Sequence, residues 1–146
     1  MIEGVLINKL KNHSDDRGFF REVFRFPVNF ANIPIEQISH SFVKEGIIKA
    51  WHGHVYQHQW NYVVIGHIKV VLIDKRKESV SFNKMIEFVA GENDNPIAYY
   101  FPPGVLHGYQ CIKGPLQIIY ITSGVYDLKD EIRIAPNEVE ALYKWE

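Results

Sequence analysis

The sequence predicts an all-β fold, a sandwich or barrel built as one domain, and three observations carry that prediction. Runs rich in Val, Ile, Phe and Tyr recur at short spacing along nearly the whole chain. Turn-forming stretches, among them "DDRG", "KEG", "GEND", "PPG" and "KGP", punctuate them. Convincing helical periodicity is confined to the C-terminal end. With 146 residues, 47% hydrophobic and 14% aromatic, the chain is the size of one domain and has the side chains for a real core.

Taken in order, strands are expected at about residues 4–8, 19–24, 37–43 and 46–52, with a short turn in "PVNFANIP" before the third. Strands at 60–65 and 67–74 are divided at Gly66, and further strands follow at 83–89, 97–101, 107–112 and 116–122. In "HIKVVLID", Ile68, Val70 and Leu72 share one face, while Lys69, Val71 and Ile73 share the other. Both faces are largely apolar, so this strand is expected between two layers. The short C-terminal helix rests on three signals: Pro136 suits a first turn, Asn137 or Asp130 could cap it, and Val139, Leu142 and Tyr143 fall at helical spacing.

Sixteen basic and 17 acidic residues leave a formal charge of -1, so no global field attracts nucleic acid or an anionic membrane, and neither partner is expected. A single cysteine, Cys111, excludes an internal disulfide and reads as an inert core residue. The opening "MIEGVLINKL" lacks the pattern of a signal peptide, and the longest apolar run, "YVVIGHIKVVLI", is broken by His67 and Lys69. A cytoplasmic protein is expected.

The polar residues among these strands are histidines. In "KAWHGHVYQHQW", residues 49–60, His52 and His54 project to one face if the stretch is extended. Gln59 follows, and "FPPGVLHGY" ends a P-x-G-x-x-H pattern at His107. This arrangement resembles the cupin pattern, which implies a double-stranded β-helix, or jelly-roll barrel, over residues 1–146 as a single domain. His52, His54, Gln59 and His107 are then a candidate set for a divalent metal, with Gln59 a poorer ligand than a carboxylate.

Flanking motifs sharpen the resemblance. The stretches "DDRGFFREVF" (15–24), "QISHS" (37–41), "KAWH" (49–52), "IDKRKESVSFNK" (73–84), "FPPGVLHGY" (101–109) and "IIYITSGVYD" (118–127) stand in the order and spacing of one cupin family. The chain resembles the dTDP-4-dehydrorhamnose 3,5-epimerases, which use no metal or other cofactor. The resemblance implies a substrate in which a 4-keto-6-deoxyhexose is linked to a nucleoside diphosphate. It implies His52 as the base that takes a proton from carbon next to the ketone and Tyr120 as the acid that returns one. Arg17, Phe20, Glu22 and Gln37 match positions that hold the nucleotide, and Lys49 stands where the family has an arginine. A homodimer is implied too, paired through an exchanged N-terminal strand for which residues 1–8 could serve.

Departures from the family are equally specific. Alignment from Gly66 puts Gln59 where a lysine stabilises the enolate oxygen and Tyr62 where an arginine binds phosphate. An aspartate that orients the catalytic histidine lies in a C-terminal extension beyond Glu146, which leaves Asp74 or Glu138 as the candidates for that work here. Each residue also has a plainer reading. Tyr120 and His107 can be hydrogen-bonded core residues, and Arg17 can pair with Asp15 or Asp16 in a turn. His54 and His58 can face solvent or a subunit neighbour, and Trp51, Trp60 and Trp145 can be packing residues. Three functions stay open: an epimerase or the related ketoisomerase, a metal-dependent cupin, and a binding module without the acid–base pair.

Overall fold

The computed structural model describes residues 1–26 and 32–146, and its strands are β1 (Leu6–Lys9), β2 (His13–Asp15), β3 (Gly18–Phe20), β4 (Gln37–Val43), β5 (Ile48–His54), β6 (Gln59–Asp74), β7 (Met85–Gly91), β8 (Ile97–Phe101), β9 (Val105–Thr122) and β10 (Glu131–Arg133). The turn expected in "PVNFANIP" lies largely outside the described residues.

Two strands organise everything else. Residues 59–62 of β6 pair with β8, and residues 59–63 with the second half of β9, whose other edge carries β4. Residues 67–73 of β6 pair with β7 and with the first half of β9, whose other edge carries β5 and then β10. The register therefore divides into two antiparallel sheets, β1-β8-β6-β9-β4 and β7-β6-β9-β5-β10, joined because β6 and β9 each run through both. This is the cupin jelly roll. The sequence reads each long strand as two, since Gly66 and "KGP" carry turn chemistry. Here they mark bends, with Gly66 at φ +91° and the β6–β9 register slipping on either side of it.

Burial follows the two-sided pattern of "HIKVVLID". Ile68, Val70 and Leu72 join the core between the sheets, with Val63, Tyr99, Phe101, Leu116 and Ile118. Val71 and Ile73 join a second cluster on the outer face of the β5-bearing sheet, with Trp51 and Leu106. The C-terminal segment covers that cluster, for Val139 is buried in it and Leu142, Tyr143 and Trp145 pack against it. The segment is a single 3-10 turn, Pro136–Val139, rather than an α-helix. Pro136 opens it as expected, but neither Asn137 nor Asp130 caps it. Ala135 holds the N-cap position, and its N–H donates to Glu138 Oε1 at 2.9 Å. The predicted strand at 19–24 shrinks to Gly18–Phe20, half of an exposed two-stranded hairpin with β2.

Candidate active site

Alternation along the strands leaves one end of the inter-sheet space polar. On β4, Gln37, Ser39 and Ser41 point inward while Ile38, His40 and Phe42 point out. On β6, Gln59 and Asn61 point inward. The result is a cavity of about 420 Å³, the size of a small-ligand site, between the two sheets.

His52 and His107 enter it from the β5-bearing sheet, where they are register partners, and Tyr120 enters it from the β4-bearing sheet. Burial lowers the pKa of His52, the nearby Glu131 carboxylate raises it by a smaller amount, and Arg133 lowers it again. The outcome lies below the ordinary value, so the imidazole is neutral at pH 7 and able to accept a proton. Its Nδ1 faces Glu131 Oε1 at 3.7 Å, and that carboxylate is itself held by Arg133 Nε at 2.9 Å. His107 packs its ring, tilted, against Phe101, with centroids 4.4 Å apart. Burial, then the rings of His54 and His52, hold it well below the usual histidine range. Burial raises the Tyr120 phenol, and hydrogen bonds from Tyr109 and Ser41 pull it part of the way back.

Most of the expected site residues converge here. His52, Tyr120, Gln37, Lys49, Gln59 and His107 all line the cavity. Four do not. Arg17 and Phe20 lie on the exposed β2–β3 hairpin, where Arg17 binds Asp15 in the plainer pairing anticipated for it. Glu22 is engaged by Arg25 through two bonds of 2.8 Å. Tyr62 falls on the opposite face of β6 from Gln59 and Asn61, because the strand alternates.

Neither candidate for orienting His52 stands beside it. Asp74 is wholly buried at the far end of β6, bound by Arg76, Ser79 and Ser81, and Glu138 caps the C-terminal turn. Glu131 stands behind His52 instead. His54 lines the same cavity and is held on both sides of its ring. Its Nδ1 lies 3.0 Å from the buried Asp130 and its Nε2 lies 2.9 Å from Gln59 Oε1. Gln59 Nε2 donates to Asn61, and Asn61 Nδ2 donates to the Tyr99 hydroxyl, both at 2.9 Å. His58 bonds the Tyr100 hydroxyl at 2.6 Å and stacks on its ring.

With both nitrogens of His54 and the amide oxygen of Gln59 engaged in that chain, the set His52, His54, Gln59 and His107 does not fit a metal centre. Among the described residues no group of three or more His, Cys, Asp or Glu is arranged to hold one. Also among the described residues, no helix is long and apolar enough to cross a membrane.

Fold and cavity together define a cupin whose polar groups sit inside the jelly roll. The family model described as dTDP-4-dehydrorhamnose 3,5-epimerase matches residues 1–146, and the chain belongs to that family of isomerases. The spore coat polysaccharide biosynthesis protein SpsL of Bacillus subtilis is 40% identical over 148 residues, covering 99% of this chain and 97% of that protein. The dTDP-4-dehydrorhamnose 3,5-epimerase of Escherichia coli is 28% identical, covering 99% and 81%. Among solved structures, ChmJ, a 3'-monoepimerase from Streptomyces bikiniensis in complex with dTDP-quinovose, superposes with a TM-score of 0.88. It is 23% identical, over 98% of this chain and 75% of that one.

Proposed function

We propose that this protein epimerises a 4-keto-6-deoxyhexose linked to a nucleoside diphosphate, dTDP being the nucleotide named among its relatives, and does so without a cofactor. One observation carries the reading. A neutral imidazole backed by a carboxylate and a phenol enter a single sugar-sized cavity from opposing sheets. The ketone acidifies the hydrogens on its neighbouring carbons. His52 uses the ring nitrogen turned away from Glu131 to take one of them, and the electron pair passes to the ketone oxygen. Tyr120, protonated at pH 7, returns a proton to the same carbon from the opposite face, and the configuration inverts. The substrate's own carbonyl is the electron sink.

The remaining cavity groups divide the work of binding. Lys49 meets the diphosphate as a point charge. Gln59, pinned between His54 and Asn61, offers a neutral dipole to the ketone oxygen where an ammonium would be stronger. Gln37 is held open towards the cavity by Ser39 and by the Tyr126 N–H. Arg17, Phe20 and Glu22 serve the nucleotide of a second subunit in a homodimer, for they lie outside the cavity of their own chain. The product feeds assembly of a surface polysaccharide, in keeping with the name of the Bacillus relative, and the nucleotide-linked substrate places the enzyme in the cytoplasm.

Deuterium incorporation decides the matter. A dTDP-linked 4-keto-6-deoxyhexose incubated in D₂O with the wild type is expected to take up deuterium next to the ketone, by a hundredfold or more over His52→Ala. Chelator is expected to leave the rate unchanged. Equal exchange by a folded His52→Ala protein would remove His52 as the base, and chelator-sensitive exchange would restore the metal reading.

A further inference from the structure

Tyr120 is not alone at its end of the cavity. Tyr109, on the other half of β9, brings its hydroxyl to 2.6 Å from that of Tyr120, and its side chain is only 5% exposed. Ser41 on β4 bonds the same Tyr120 oxygen. One phenol oxygen thus gathers a second phenol and an alcohol from two other stretches of chain, all lining the one cavity. Nothing in the reaction as described uses Tyr109 or Ser41.

The direction of these bonds decides what they do. A phenol has one hydrogen and two lone pairs. Were Tyr120 the donor to Tyr109, its only hydrogen would be spent inside the wall and none would be left for carbon. With the bonds reversed, Tyr109 and Ser41 fill the Tyr120 lone pairs, and the Tyr120 hydrogen is free to point at the substrate. We infer that Tyr109, assisted by Ser41, is a positioning residue that aims the Tyr120 proton at the enolate carbon and steadies the phenolate left behind.

This inference rests on the acid–base reading of the cavity. In the step itself the Tyr120 O–H bond breaks, the enolate's electron pair forms the new C–H bond, and the carbonyl is restored. The negative charge arrives on the Tyr120 oxygen, where two donors already meet it. Water then returns a proton to Tyr120 and accepts the one held by His52, so the cycle closes with nothing oxidised or reduced. The electrostatics run the same way. Burial, followed by the proximity of Tyr120, pushes the Tyr109 phenol far up; burial raises Tyr120 too, but the bonds of Tyr109 and Ser41 offset part of that rise, so Tyr120 is the phenol that gives up its proton more readily.

Tyr109→Phe removes one oxygen and keeps the ring, so two rates measured by NMR in D₂O on the same 4-keto sugar nucleotide separate aiming from packing. His52 still exchanges its proton with solvent and returns deuterium to the face it came from. Exchange without inversion is therefore expected to stay within about threefold of wild type while inversion falls tenfold or more. The ratio of exchange to inversion then moves towards that of Tyr120→Phe. Ser41→Ala should move it the same way by less, which covers a Tyr109→Phe protein that folds poorly. An unchanged ratio in both variants, with both rates intact or both reduced together, overturns the inference while leaving the epimerase reading in place. A wild-type protein that exchanges no deuterium overturns both.

Discussion

His52 works in a balance of burial, Glu131, Arg133 and His54, and Glu131 is the influence that can be removed cleanly. Burial lowers the imidazole, Glu131 raises it, and Arg133 and His54 lower it. A base must be neutral to act, so kcat/KM should be flat above the His52 pKa and fall as pH drops through it, at a pH below the usual histidine value of about 6.5. Glu131→Gln takes away the one raising influence and leaves Arg133 unpaired beside the ring. The acid limb should therefore move to lower pH, and the plateau should fall about tenfold because the ring is a weaker and less firmly oriented base. A pH–rate profile of the two proteins checks this. A limb that stays in place or moves upward would mean that Glu131 does not act on His52. Glu131 was not legible in the chain, whereas His52, Lys49, Gln37, Gln59, His107 and Tyr120 were. Those six sit in motifs of fixed local spacing. Glu131 reaches His52 only because β10 pairs with β5, a contact between residues about eighty positions apart that no local pattern announces. Tyr109 escaped for a different reason, since a tyrosine beside the His107 motif is indistinguishable from a core residue until its hydroxyl partner is seen.

At the scale of elements, the strands were legible in place but not in length. Turn chemistry marks any departure from straight β geometry, and a bend within a strand uses the same residues as a turn between two. Gly66 shows the difference. It sits at φ +91°, its N–H donates to Glu92 Oε2, and a Cβ there would lie 2.7 Å from the Pro115 carbonyl oxygen and 2.8 Å from that of Lys113. These are backbone atoms of the neighbouring bend in β9, so neither can swing aside. The two bends are nested, and together they let β6 and β9 leave one sheet and enter the other, which is what opens the cavity between His52 and Tyr120. Gly66→Ala is expected to cost about 2–4 kcal/mol, combining an unfavourable φ with a clash that must push the strands apart. Urea denaturation followed by tryptophan fluorescence measures it. A loss under about 0.5 kcal/mol, the range of ordinary surface substitutions, would show that the bend tolerates a side chain. The C-terminal helix is a shorter, 3-10 turn for a related reason. Val139, Leu142 and Tyr143 do face one apolar surface, as their spacing requires, but one 3-10 turn suffices to lay them over Trp51 and Leu106, and the rest of the segment follows that surface.

At the scale of the whole molecule, two features stand exposed among the described residues of a single chain. The β2–β3 hairpin has three residues in each strand and every one of them is exposed, although a two-stranded hairpin of that size is marginal by itself. The outward face of β4 exposes Ile38 and Phe42 at 69% and 61%, on the outside of the sheet that carries Tyr120. The residues matched to nucleotide binding, Arg17, Phe20 and Glu22, lie on or just beyond that hairpin and away from their own chain's cavity. The proposed symmetric dimer would cover both features, because the same exposed patch would meet its copy and the hairpin of each subunit would reach the site of the other. Sedimentation is then expected to give a dimer at micromolar concentration, and a mixing experiment tests the shared site directly. His52→Ala and Arg17→Ala proteins should each be inactive or nearly so. After subunit exchange, half of the dimers are mixed. One of the two sites in each mixed dimer has an intact His52 from one subunit and an intact Arg17 from the other. Activity should recover to about a quarter of wild type, the share of native sites under random pairing. If the mixture stays as inactive as its components while subunit exchange is confirmed by mass, Arg17 acts within its own chain or not at all, and the hairpin has another purpose.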